Sequence, residues 1–350
     1  MPNADENDLR EFAERVLRGA GLAPDDAAVA AECLVFANLR GVDGHGVLRL
    51  VQYADTIASG GVNPRPEVRV VSRRGATALV DADGGYGFRP TTLAVDEAVE
   101  LSRANGIGFV GVRASHHFGM AATYVLRAAA AGRIGVVTTN SFPVLATPGA
   151  TRPVVGNNPY AFAVPRRPPA EPIVLDMALS EVAFGRIRLA AAEGRPIPLG
   201  WARDEAGDPT EDSAAALRAG SLEPIGRHKG YGLAVIAEIL AGALTGSPFG
   251  ADSDAHGRRE GGVGHVVIAL DPAAFIPEES FHAAVDALAG QIAAVPPAEG
   301  AEGALLPGEL ELRTLRERRA GGIPLSDELA EQLSRLAIRV GAGPPPWPVH

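Results

Sequence analysis

Apolar positions recur every three or four residues over 6–20 (ENDLREFAERVLRGA) and again over 24–40 (PDDAAVAAECLVFANLR). This spacing predicts two amphipathic helices at the start of the chain, the second capped by Asp25 or Asp26. GVDGHG at 41–46 breaks the pattern, and a third helix follows over 47–59, ending at Gly60-Gly61. The period then shortens to two. Strands are predicted after the prolines of VNPRPEVRVVS, at 76–83, at 106–113 (GIGFVGVR), at 134–141, and in NNPYAFAVP and EPIVLDMA. Helices are predicted at 91–105, 120–132, 180–193, 229–246 and 278–294, with a last strand at 265–271 and a charged helical tail over 309–339. Residues 204–226 read as a long polar loop and 247–263 as a surface loop. The proline-rich end, GAGPPPWPVH, reads as frayed. Helices at both ends around a strand-rich middle predict an α/β fold with a discontinuous helical domain.

Composition narrows the function. The 350 residues are 46% hydrophobic and carry a formal charge of −10, which argues against nucleic acid as a partner. No stretch reaches the roughly 20 apolar residues of a membrane span. The polar, acidic start lacks the features of a targeting peptide. The lone cysteine, Cys33, sits in an apolar helix and reads as a buried hydrophobe, which excludes an intrachain disulfide. These points lead us to expect a cytoplasmic protein. Lys229 is the only lysine in a chain whose other cations are arginine. Either chance preserved it, or its site requires a compact ammonium.

The string Gly106-Ile107-Gly108-Phe109-Val110-Gly111 matches GxGxxG, yet its glycines lie within an apolar run. It therefore reads as a packed core strand and not a Rossmann turn. His45 lies between Gly44 and Gly46, in a backbone open enough to approach a ligand, and imidazole suits proton transfer to an alkoxide. Arg49, four residues on, offers a fork for a carboxylate. Ser115-His116-His117-Phe118-Gly119-Met120 follows a buried strand, and the helix after it could turn its first amides toward a phosphate. Asn157-Asn158-Pro159 and Leu175-Asp176-Met177 fall near strand ends. His228-Lys229-Gly230 opens the longest helix, where an ammonium and a helix N-terminus together attract an anion. Schiff-base chemistry at Lys229 would need a desolvated amine, which GRHKGYG does not suggest. A metal held by His45 and His116 or His117 lacks a third ligand at suitable spacing, so no metal is expected.

In order along the chain stand RGVDGHGVLRL (40–50), SHHFGMAATY (115–124), VVGNNPYAFAVP (154–165), VLDMALS (174–180), HKGYGLAVIAEILAGALTG (228–246) and LPGELEL (306–312). Together they resemble the type 2 malate/L-lactate dehydrogenase family, whose relatives include ureidoglycolate dehydrogenase, diketogulonate reductase, sulfolactate dehydrogenase and piperideine-2-carboxylate reductases. The resemblance implies a non-Rossmann α/β fold with a mixed, largely antiparallel sheet, and a homodimer. It implies a helical domain of 1–72 with 300–345 on the substrate and dimer side, and a nicotinamide-binding domain of 73–299. It implies NAD or NADP as cofactor and hydride transfer at C2 of a small 2-oxo or 2-hydroxy acid. His45 matches the acid/base histidine, His117 a second active-site histidine, Arg49 the carboxylate clamp and Asn157 a substrate-binding position. Phe118, Gly119, Met120, Ser141, Val174, Leu175, Asp176, Met177, Ser180, His228, Lys229, Gly230, Pro307, Gly308 and Glu309 correspond to cofactor contacts. Two departures stand out. Gly44 replaces the usual Ser before the histidine, so another group, Asp176 or Asp43, would have to orient His45. Arg186 stands where the imine-reducing branch tends to carry an acid, which favours hydroxy acids over cyclic imines. A cyclic-imine (piperideine- or pyrroline-2-carboxylate) reductase on the same scaffold, an inactive binding member and a metal hydrolase are the rival readings.

Overall fold

The computed structural model describes residues 2–254 and 258–347. A seven-stranded sheet is formed by β1 (Arg69–Arg74), β2 (Thr77–Asp81), β3 (Ile107–Ser115), β4 (Ile134–Thr139), β5 (Tyr160–Val164), β6 (Ile173–Met177) and β7 (Val263–Leu270). Its spatial order is β1-β2-β3-β7-β4-β5-β6, and only β2 and β3 run parallel. The sheet is therefore mixed and largely antiparallel, and among the described residues its parallel pair, β2 and β3, is joined through a single helix (Phe88–Asn105). The GxGxxG string lies inside β3 from Ile107 onward, while Gly106 ends the preceding helix at φ +76°. A Cβ on Gly108 would stand 2.0 Å from the Ala98 carbonyl oxygen, so this glycine lets a helix lie against the strand.

That helix is α4 (Phe88–Asn105), which begins three residues earlier than its apolar spacing suggests; α5 (Ala122–Ala130) packs beside it. The chain starts with α1 (Glu6–Gly19), α2 (Pro24–Leu39) and α3 (Leu50–Ala58). Residues of these helices share one apolar core with Leu315, Leu325, Leu333 and Trp347 from the other end of the chain. Fully buried Phe12, Leu34 and Leu50 each contribute roughly 1.5–3 kcal/mol there. The proline-rich end is not frayed as far as residue 347, because Trp347 packs edge-on against Phe12 at 4.9 Å between centroids. Residues 348–350 lie outside the described residues, as do 255–257 of the expected surface loop.

The expected loop 204–226 is also structured. After α6 (Phe184–Ala192) it holds α7 (Ser213–Ala219), capped by Asp212, and a two-residue strand pair, Ala202–Arg203 with Ser221–Leu222. These segments close a small separate core around Ile187 and Leu222. The long apolar helix is α8 (His228–Ala237), which continues as a π-helical turn over Glu238–Ala243. After α9 (Glu278–Ala293), the charged tail divides into α10 (Glu309–Gly321) and α11 (Asp327–Val340). Between them Ile323–Pro324 pairs with Asn3–Ala4, tying the two chain ends together.

Candidate active site

The loop that carries His45 is built on Asn38 at the end of α2. Asn38 Oδ1 accepts the Val47 N–H at 2.8 Å, and its amide donates to Asp43 at 2.6 Å. A Cβ on Gly46 would sit 2.2 Å from Asn38 Oδ1, so glycine is required there. At Gly44 the same atom would meet nothing within 4 Å. Arg318 grips both Asp43 oxygens, at 2.7 and 3.0 Å. Asp43 thus anchors the loop to α10 and does not orient His45. Asp176, the other group expected to do so, instead accepts the Ala122 N–H at 2.7 Å. That bond also corrects the expected phosphate site at the start of the next helix, because a carboxylate already takes one of its first amides.

His45 lines a cavity of about 320 Å³ together with His117. The two rings lie parallel, 6° apart in plane, with centroids 5.5 Å apart. His117 leaves the end of β3, and its Nδ1 faces the Tyr53 hydroxyl at 2.6 Å and the Gly119 N–H at 3.3 Å. An amide can only donate, so this contact assigns the ring proton to Nε2. Tyr53, fully buried, was not singled out by sequence. Its place on α3, in an otherwise apolar stripe, looks like core packing. His116 is also buried and does not line the cavity.

Burial holds the His45 pKa down at about 4, and the nearby Arg49 charge adds to the effect. His45 is therefore neutral near pH 7 and able to take a proton. Arg49 itself does not line the cavity. Its Nε donates to the Gly44 carbonyl at 2.7 Å and its Nη1 to Gln52 at 2.8 Å, with no carboxylate partner among the described residues.

The cavity is also lined by Phe118, Gly119, Met120, Ala121 and Ala122, and by Val174, Leu175, Asp176, Pro307 and Gly308. Two of the lining glycines hold left-handed backbone that packing around them requires. Gly119 has φ +79° and Gly308 φ +88°, and a Cβ on Gly308 would stand 2.8 Å from the Val174 carbonyl oxygen. Asp176 is exposed where it lines the cavity, and the protein packed around that cavity partly desolvates its carboxyl and lifts its pKa to about 6. A mostly apolar cavity with a few polar groups in its lining suits a heteroaromatic ring such as nicotinamide.

Ser141 and Asn157 line it as well, joined by a 3.2 Å hydrogen bond. Behind them lies a polar network that the sequence did not announce. Buried Glu238, on the π-helical turn, accepts from Asn140 Nδ2 (3.1 Å), Ser253 Oγ (3.0 Å), the Gly250 amide (2.7 Å) and Asn158 Nδ2 (2.6 Å). Asn158 Oδ1 in turn accepts the Ser141 N–H at 2.9 Å, with the Asn158 backbone at φ 22°. A π-turn often marks a functional segment, but periodicity alone does not reveal one. A second buried histidine, His265, joins Thr139 and Ser115 and stacks on Phe118 at 4.6 Å. Burial keeps its pKa near 3.

Other expected contacts lie elsewhere. Ser180 is buried beside Pro224, and Met177 packs against the Leu179 core. Glu309 accepts the Leu306 N–H and faces a neighbouring hollow. His228 lines a separate hollow with Trp201 and Arg227, while exposed Lys229 and buried Gly230 line neither it nor the cavity. Cys33 is buried and its thiol pKa is raised to about 12, as expected of a structural cysteine. Among the described residues, no group of three potential ligands could hold a metal ion.

With this geometry in place, comparison with known proteins is informative. The malate/L-lactate dehydrogenase family profile matches residues 4–334. A malate dehydrogenase of Pyrococcus abyssi is 35% identical, covering 96% of this chain and 94% of its own. A (2R)-3-sulfolactate dehydrogenase (NADP(+)) of Chromohalobacter salexigens is 37% identical, covering 94% and 97%. The solved malate dehydrogenase of Pyrococcus horikoshii superposes with a TM-score of 0.89 at 33% identity, covering 98% of this chain and 97% of that one.

Proposed function

The chain belongs to the malate/L-lactate dehydrogenase family, and from that premise we propose how its own residues exchange hydride between a nicotinamide cofactor and C2 of a small 2-hydroxy acid. The observation that carries the reading is the parallel His45–His117 pair in the lining of a mostly apolar cavity of about 320 Å³. NAD or NADP, when bound, supplies the hydride acceptor in oxidation and the donor in reduction. Phe118, Gly119, Met120, Val174, Leu175, Asp176, Pro307 and Gly308 would hold its ring, and Ser141 would border it. Met177, Ser180, His228, Lys229, Gly230 and Glu309 are proposed for the remainder of the cofactor, beyond the cavity.

In oxidation, neutral His45 takes the proton of the substrate hydroxyl as the C2 hydride leaves; in reduction, protonated His45 returns it. His117 donates from Nε2 to the same oxygen, and Tyr53 keeps the ring in that tautomer. Arg49, without a carboxylate partner among the described residues, receives the substrate carboxylate, and Asn157 orients the oxygen at C2. Residues 1–72 with 300–345 form the substrate-side domain in this reading, and 73–299 the cofactor domain.

A homodimer is part of the proposal. Leu233, Ile236, Ile239 and Leu244 are each 47–60% exposed along α8 and its continuation, an apolar stripe of the kind a subunit contact covers. No helix among the described residues is long and apolar enough to cross a membrane, and we place the protein in the cytoplasm. The test is His45→Ala. Turnover of 2-hydroxy acids should fall by about 10²–10⁴-fold, while quenching of the reduced cofactor's fluorescence on binding persists. Wild-type turnover in the variant would assign the proton to another group.

A further inference from the structure

Arg40 follows α2 and is only 6% exposed, yet its guanidinium has no hydrogen bond or ion pair among the described residues, and its Nε is fully enclosed without an acceptor. It lies near the Phe36 ring, 5.9 Å from the centroid. A guanidinium keeps its charge in proteins, so this is a buried cation with unused donors. Burial disfavours the charge, while Glu311, Asp176 and Glu171 favour it through space. Arg40, Asp176 and Glu311 all line the cavity that holds His45 and His117. Asp176 Oδ2 is taken by Ala122, but Oδ1 has no donor among the described residues; neither does the Glu311 carboxylate. No ion pair joins the three. Their unused donors and acceptors are left for something inside the cavity.

A phosphate or carboxylate would meet Arg40 at the cost of repulsion from two acids, and an ammonium would face the guanidinium. A neutral primary amide satisfies both signs, with one carbonyl oxygen to accept and one NH2 to donate. We propose that Arg40, Asp176 and Glu311 form the subsite for the carboxamide of the bound dinucleotide, with Arg40 donating to its oxygen and the two carboxylates accepting from its nitrogen. This inference rests on the nicotinamide reading above. The carboxamide is attached beside the hydride-carrying carbon, so holding it fixes that carbon relative to His45 and His117.

The test is equilibrium binding, by calorimetry, of the oxidised dinucleotide, its thionicotinamide and 3-acetylpyridine analogues, and ADP-ribose. The first analogue weakens the acceptor; the second removes the NH2. A hydrogen bond to a charged group predicts that wild type binds each analogue about 10-fold or more weakly than the parent dinucleotide. Arg40→Met should lose the preference over the thio analogue, and Glu311→Gln should narrow the preference over the acetyl analogue. Neither substitution should move ADP-ribose affinity, which also reports that the variants are folded. Unchanged analogue ratios in both variants would overturn the subsite while leaving cofactor binding intact. Equal losses for ADP-ribose and the parent dinucleotide would overturn it too, by assigning Arg40 to phosphate or to folding. If wild type binds ADP-ribose and no nicotinamide form more tightly, the nicotinamide reading itself fails.

Discussion

His45 combines two properties that set its chemistry: it faces the cavity, and the protein holds it neutral. Its lowered pKa, about 4, means that acid is needed to protonate it in the free enzyme. Because kcat/KM reports the free enzyme, oxidation should keep full kcat/KM down to about pH 4 and lose it only below that. Reduction needs the imidazolium, so its kcat/KM should fall with rising pH above about 4. Matched pH profiles in the two directions test this; a common midpoint at the ordinary histidine value of about 6.5 would contradict it. Gly44 invites a second test. Open space surrounds its missing Cβ, so Gly44→Ser should fold with its melting temperature unchanged or slightly raised and keep activity within a few-fold. A fall in melting temperature of several degrees would show that the loop requires glycine there. The His45 signal was legible because glycines flank a rare residue type. Arg40 was not, because in a chain whose cations are nearly all arginine no single arginine stands out. Its significance comes from burial without a partner, which depends on tertiary structure.

At the scale of elements, the cavity wall depends on a turn that departs from α-helical geometry. The π-turn after α8 presents Glu238 to four donors from three other segments, and Asn158 passes that order on to Ser141. Glu238→Ala takes their acceptor from the Gly250 amide and the Ser253 hydroxyl, while Asn140 and Asn158 still donate to the Pro248 and Ala234 carbonyls, at a cost of about 1–3 kcal/mol for each orphaned donor that water does not reach. Urea unfolding should show a loss of at least that size, with substrate KM rising in the remaining folded enzyme. A variant as stable as wild type would show that the network is dispensable. Periodicity identified most of the sheet strands and the long helices because each buries one face on a core. It missed α7, whose Asp212 cap lies in a stretch rich in polar residues and glycine. It also missed the pairing of residues 3–4 with 323–324, which local pattern cannot encode across most of the chain.

For the whole molecule, the two chain ends share one core, and the sheet between them brings β4, β6, β7, the segments that follow β3 and precede β5, and the 307–308 turn to one cavity. Six motifs in order pointed to this assembly, whereas the cavity's acid–base balance came from contacts far apart in sequence. The exposed stripe on α8 predicts a dimer in solution, and Ile236→Glu, at a position 50% exposed, should shift sedimentation toward the monomer. Wild type sedimenting as a monomer would remove that face from the proposal. The central claim is that hydride passes directly between C2 of a 2-hydroxy acid and the nicotinamide. The most direct measurement uses a panel of 2-hydroxy acids deuterated at C2, with mass spectrometry of the reduced cofactor. The account predicts deuterium on the nicotinamide with the acid that turns over, appearing about 10²–10⁴-fold more slowly with His45→Ala. Deuterium released to water, with none on the ring, would contradict it.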